Sequence, residues 1–204
     1  MPPIGHNEIA AIVVVASFAA GLNVYATVAT LGLLGHTNFM QLPPALHVLS
    51  EWWVIGIAAV LFVVEFVADK IPAFDMLWNA LHTFIRVPIA ALLSYRATAH
   101  LSPTAQMIAT AAGGLIALAS HSGKTAVRAA VTPSPEPFSN IALSAGEDVT
   151  AIGLTWFATT HPYIAVAIVV VALVLLVIFI RWLVRAMKRL FRDARQEVQA
   201  LEAG

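Results

Sequence analysis

Residues 162–180 read PYIAVAIVVVALVLLVIFI, nineteen positions without a charge or a side-chain amide. A helical run of this length reaches across the roughly 30 Å hydrocarbon core of a bilayer. A soluble domain of 204 residues could form one core, but it could not hide such a run. The rest of the chain shares the same preference of solvent. Hydrophobic residues make up 60% of it, and Asp, Glu, Lys and Arg together only 11%, against about 25% charged in soluble domains. The fold class expected is an all-α polytopic membrane protein of about six membrane helices. Apolar runs and their breakers place these at 9–34, 51–68, 76–93, 104–131, 141–159 and 162 to about 195. The first run is too long for a signal-peptide core and is read as retained.

Eleven basic residues balance eleven acidic ones, so the chain as a whole offers a nucleic acid no electrostatic support. Their distribution is uneven. Arg181, Arg185, Lys188, Arg189, Arg192 and Arg195 crowd the end of the chain, which by the positive-inside rule places the carboxy terminus in the cytoplasm. Six crossings would bring the amino terminus to the same side. The localisation expected is an integral protein of the bacterial inner membrane. Residues 1–180 form one transmembrane domain, and 181–204 form a basic helical tail anchored at lipid headgroups. Trp52, Trp53, Trp78, Trp156 and Trp182 fall near expected helix ends, where interfacial anchoring explains them. Cysteine is absent, which removes disulfides, thiolate metal sites and cysteine nucleophiles.

The two halves follow one order of events. A break at Gly21-Leu22-Asn23 is matched by one at Ser122-Gly123-Lys124, and each precedes a proline-bearing loop and a helix led by acid, Glu51 or Glu147 with Asp148. Three crossings per half would invert the second repeat, giving a 3+3 arrangement of 8–97 and 103–180 with broken or re-entrant helices, a recurrent plan of transporters.

Ionisable residues interrupt the middle segments. Glu65 and Asp69 are four apart, about 40° around a helix axis, and can converge on one point. His82 and Arg86 share that spacing, and His121, Lys124 and Arg128 form a basic stripe. Asn23, Thr27 and Thr30 draw an uncharged polar stripe beside the first break, and Glu147 with Asp148 opens a helix that continues on one side through Ala151 and Thr155. A charge at mid-bilayer costs on the order of 2.5 to 3.5 kcal/mol on insertion scales, so these groups require a paired or hydrated interior. Two readings compete: pairs that fix helix packing, and a pathway for a solute.

Other chemistries are less well supplied. Ser122-Gly123-Lys124-Thr125 resembles the end of a phosphate-binding loop, but Leu118 stands where that pattern needs glycine. No Gly-x-Ser-x-Gly nucleophile elbow occurs. His6, His36, His47, His100 and His161 lie in or beside loops and lack paired zinc-ligand spacing.

The stretches Leu46-His47 to Ser50-Glu51, Asp69-Lys70-Ile71-Pro72, Asp75, Trp78, His82-Thr83 and Ile85-Arg86 resemble the bacterial and plant membrane-protein family known as domain of unknown function 4126. His121, Lys124, Arg128, Ser134-Pro135-Glu136-Pro137, Asn140, Ser144 and Glu147-Asp148 look like its second marked stretch. The resemblance implies a small helical membrane protein whose recognisable residues are these polar ones.

The expected function is transport or channelling of a small ion or charged solute, with an anion favoured and proton coupling open. His82, Arg86, Lys124 and Arg128 would hold the anion, and Glu65, Asp69, Glu147 and Asp148 would act as counter-charges or proton acceptors, with Asn23 and His121 completing the site. Helix starts after Gly21 and Gly123 could aim free N–H groups at an anion. With the roles exchanged, the same residues suit a proton or a divalent cation, for which carboxylate oxygens favour Mg²⁺, Ca²⁺ or Mn²⁺. A membrane enzyme acting on a lipid phosphate and a structural subunit are the rivals from other classes. No cofactor is expected, and a six-helix bundle is small for a complete pathway, so a homo-oligomer is.

Overall fold

The computed structural model describes residues 5–68, 72–131 and 137–202, and in those residues it is helical, with no strand. The helices are α1 (His6–Leu22), α2 (Val24–His36), α3 (Trp52–Ala68), α4 (Pro72–Ala97), α5 (Pro103–Val131), α6 (Pro137–Thr160) and α7 (Pro162–Glu202), with a short 3-10 helix, Pro44–Ser50, before α3. Four α-helices begin on a proline, α4, α5, α6 and α7, as does the 3-10 helix. Proline's fixed φ suits the first helical position, where its missing N–H has no partner to lose. α7 continues unbroken past residue 180, and its stretch Pro162–Arg189, whose most apolar eighteen residues have mean hydropathy 3.4, is long and apolar enough to cross a membrane. The 3-10 helix and α3 meet at a 63° bend and could together form a second such crossing.

The apolar run 9–34 is not one helix. It stops at Leu22 and restarts at Val24, with Asn23 extended between them at φ −148° and ψ 105°. α2 then folds back toward the start of α1, because Leu31 of α2 lines the same small apolar pocket as Ile9, Ile12 and Val13 of α1. Asn23 is the tip of a helical hairpin rather than a kink in a crossing. α4 runs beside α1 in the opposite sense, with Arg86 at Gly21 and Ser94 at Ser17. α5 places Gly113 against Ser17 and Ala117 against Gly21. α7 runs from Val169 near Val15 to Leu176 beside Gly123. The start of α1 and the end of α7 therefore lie at opposite ends of the bundle, which corrects the expectation that both termini share one side. A hairpin that enters and leaves at the same end contributes no crossing.

The expected second break, at Ser122-Gly123-Lys124, is also corrected. α5 is continuous through it. A Cβ on Gly123 would run into the Leu176 side chain of α7, so this glycine permits close packing of two helices instead of ending one. Gly21 and Gly113 act likewise: a Cβ on Gly21 would strike Ser120 and the Ala117 backbone, and one on Gly113 would strike Ser94. With the first run broken at Asn23 and α5 continuous through Gly123, the two halves do not match at the feature that suggested the repeat.

Candidate functional site

Ending α1 and starting α2 at one buried point leaves backbone groups that need partners. The last carbonyls of a helix carry partial negative charge, and the first N–H groups of the next carry partial positive charge. The carbonyls are met by side chains from neighbouring helices, and an N–H of α2 is met by Asn23 itself. Arg86 Nη1 donates to the Gly21 carbonyl at 3.4 Å and Lys124 Nζ to the Leu22 carbonyl at 3.3 Å. On the other side of the tip, Asn23 Oδ1 accepts the Ala26 N–H at 2.9 Å as an N-cap, while Asn23 Nδ2 donates to Asp148 Oδ1 at 2.8 Å. Cations thus face the end of α1, and an acid stands at the start of α2.

From this tip an ion-pair ladder extends through four helices. Arg86 of α4 pairs with Glu65 of α3, and both side chains are 0% exposed. Lys124 of α5 lies 3.7 Å from Glu65 Oε1 and 3.0 Å from Glu147 Oε2 of α6, and Arg128 Nη2 lies 2.7 Å from the same Glu147 oxygen. The signs alternate along the ladder: Arg86, Glu65, Lys124, Glu147, Arg128. Glu147 is its outermost acid, with 12% of its side chain exposed. Uncharged and histidine groups flank the inner end. His121 Nδ1 is 2.9 Å from Arg86 Nη1, Thr83 Oγ1 is 2.8 Å from His121 Nε2, and the Tyr25 hydroxyl is 3.1 Å from His82 Nε2. Glu65 Oε2 and Arg86 Nε, both buried, have no hydrogen-bond partner among the described residues, an arrangement that costs free energy unless water or a ligand fills it.

The structure brings together Asn23, Glu65, His82, Arg86, His121, Lys124, Arg128, Glu147 and Asp148, and all but Glu147 are buried. Asp69 lies outside the described residues. Thr27 and Thr155 are buried on the expected faces, each hydroxyl donating to a carbonyl four residues earlier in its own segment. His36, His47, His100 and His161 are exposed, as are Trp52, Trp53, Trp156 and Trp182. Sequence reasoning missed Tyr25, the hydroxyl of Thr83 as a partner of His121, and the two carbonyls of the α1 end. Tyr25 stood two residues beyond the break, and that position was its only signal. No group of three or more His, Asp or Glu among the described residues could hold a metal ion.

A cleft of ≈ 690 Å³ opens between α1, α5, α6 and α7, with Lys124 and Glu147 in its lining. Fold and site together define an all-helical protein whose charged interior is assembled on the tip of a helical hairpin. The chain belongs to the family described as Domain of unknown function (DUF4126), whose model matches residues 10–182. No curated protein and no solved structure matches it.

Proposed function

We propose that this protein is a polytopic membrane transporter that moves a small anion together with a proton. The observation carrying this reading is the alternating ladder, in which Glu65 and Glu147 each engage two cations. Removing one charge from a buried pair costs about 3–5 kcal/mol, because the remaining charge is left uncompensated. That penalty falls away when a second negative group takes the vacated place. Protonating a carboxylate frees its cations, and an anion restores the balance, so each event favours the other. Binding would be reciprocal by linkage: the proton tightens the anion and the anion tightens the proton.

Membrane embedding is supported by the outer surface. Val60, Val63, Val64 and Val67 on α3 and Val170, Val171, Val174, Leu175 and Ile178 on α7 are all exposed, an apolar extent that water disfavours and lipid does not. α3, α4, α5, α6 and α7 would cross the bilayer, and the α1–α2 hairpin would re-enter from the side opposite the basic end of α7. In the inner membrane with that end cytoplasmic, the hairpin mouth faces outward. Irregular backbone at membrane depth is tolerated where protein covers it, and Asn23 is fully buried. The broken helix meeting a charged site resembles the plan of many transporters, although here one half of the chain supplies the break. Since α5 has no break, the helix-start argument for an anion rests on α2 alone, and the ladder's cations take over that role. The orphan oxygen Glu65 Oε2 favours one alternative, a proton or cation bound at Glu65 with no anion partner.

Purified protein in proteoliposomes tests the proposal. An inward proton gradient should drive uptake of a small labelled anion in the wild type. Glu65→Gln should retain uptake but lose its dependence on the gradient, and Arg86→Ala should abolish it. Equal flux in all three proteins, or none in any, refutes the assignment.

A further inference from the structure

The cleft beside the ladder suggests where the anion comes from. Its walls are apolar, with Phe18, Val127, Leu143 and Leu176 among the lining, and its polar groups include Lys124 and Glu147. Two glycines line it as well. Gly123 brings α5 against Leu176, and at Gly146 an added Cβ would meet no atom within 4 Å. An apolar channel leading to a lysine that is ion-paired at 3.0 Å has the polarity of an amphiphile: tail outward, acidic head at the charge. The cleft is open along one side, so an occupant's chain can lie against its apolar wall and continue into the surrounding lipid while its head stays at the charge.

We infer that the cleft is a lateral entry site for a long-chain carboxylic acid drawn from the bilayer, whose head reaches Lys124 while its chain lies among α1, α5, α6 and α7. The inference rests on the proposed membrane and proton–anion reading and puts an amphiphilic anion in place of the small one. The exchange balances. The acid's O–H bond breaks, its proton passes to the Glu147 carboxylate, and the carboxylate so formed replaces Glu147 opposite Lys124. One weak acid thus supplies both the proton and the anion that the ladder takes together. Entry through the side of the bundle also places the chain in lipid-like surroundings throughout, so that only the head is desolvated against charge.

A long-chain fatty acid bearing a diazirine on its chain, added to the full-length protein in liposomes and photolysed, tests this directly. The expected adducts lie on α1, α5, α6 and α7 at the cleft. Gly146→Trp, which fills the open space without a clash at Cβ, should reduce labelling to background, whereas Gly56→Trp, on an open position of α3 away from the cleft, should retain it. Lys124→Gln should weaken labelling about tenfold or more through loss of a charge-assisted contact. Adducts absent from the cleft, labelling equal in wild type and Gly146→Trp, or competition by acetate as effective as by the unlabelled long-chain acid would each overturn the inference. Labelling that follows the expected pattern upholds the cleft even if proton-driven uptake of small anions is absent, and that uptake without cleft labelling removes the cleft while leaving the ladder's proposed role in place.

Discussion

The α1–α2 hairpin is held by opposite chemistry at its two ends. Around its open end, Leu31, Leu34, Met40, Leu42, Leu46, Leu49 and Leu93 pack with Ala16 and Ala97 into an apolar cluster. Around its tip, α1, α2, α3, α4, α5 and α6 meet through ion pairs and hydrogen bonds to Asn23 and the α1 carbonyls. Dispersion contacts are numerous, weak and interchangeable, so the open end tolerates loss of any one of them at moderate cost. The tip depends on a few directional pairs, and a change of one proton alters several of them together. The first end is held by many interchangeable contacts and the second by a few that share charges.

The largest effect that would break this contrast is at Arg86. Arg86→Ala should destabilise the protein by about 3–5 kcal/mol, read as a fall in thermal midpoint in detergent, while Glu65→Gln combined with Arg86→Gln should recover much of it. If the single variant is as stable as wild type, the tip is not held by its charges. At the junction of the two regions, Gly113→Val should cost about 1–3 kcal/mol by overpacking, since even a Cβ there would strike Ser94. Asn23→Ala removes both the cap on Ala26 and the bond to Asp148 and should cost about 0.5–2 kcal/mol. The expected signature is faster hydrogen exchange at the start of α2. Smallest of all, Leu175→Ala on the outer face of α7 should change stability by less than about 0.5 kcal/mol, because that side chain is 59% exposed.

Much of this was legible in the chain. Helix boundaries could be placed because prolines and short polar turns punctuate the apolar runs, and the spacing of Glu65, of His82 with Arg86, and of His121, Lys124 and Arg128 marked buried polar faces before any coordinates. The reversal at Asn23 was not legible, because residues 9–34 carry no charge and periodicity does not report the direction in which a chain continues. Gly123 was misread for a related reason: a glycine that ends a helix and one that lets another helix approach look identical in sequence. Which acid meets which base was also hidden. Lys124 between Glu65 and Glu147 requires α3, α5 and α6 to be neighbours at one level, and that follows from tertiary packing alone.

Anion binding measured against pH tests the central claim most directly, that carboxylates and anion compete for the same buried cations. In the wild type, affinity for a small anion, followed by calorimetry in detergent, should rise as pH falls because protonation of Glu65 or Glu147 releases Arg86 and Lys124. In Glu65→Gln with Glu147→Gln, affinity at neutral pH should already match that of the wild type at low pH. Wild-type affinity that is flat with pH, or a double variant that binds no more tightly than the wild type at neutral pH, would contradict the account.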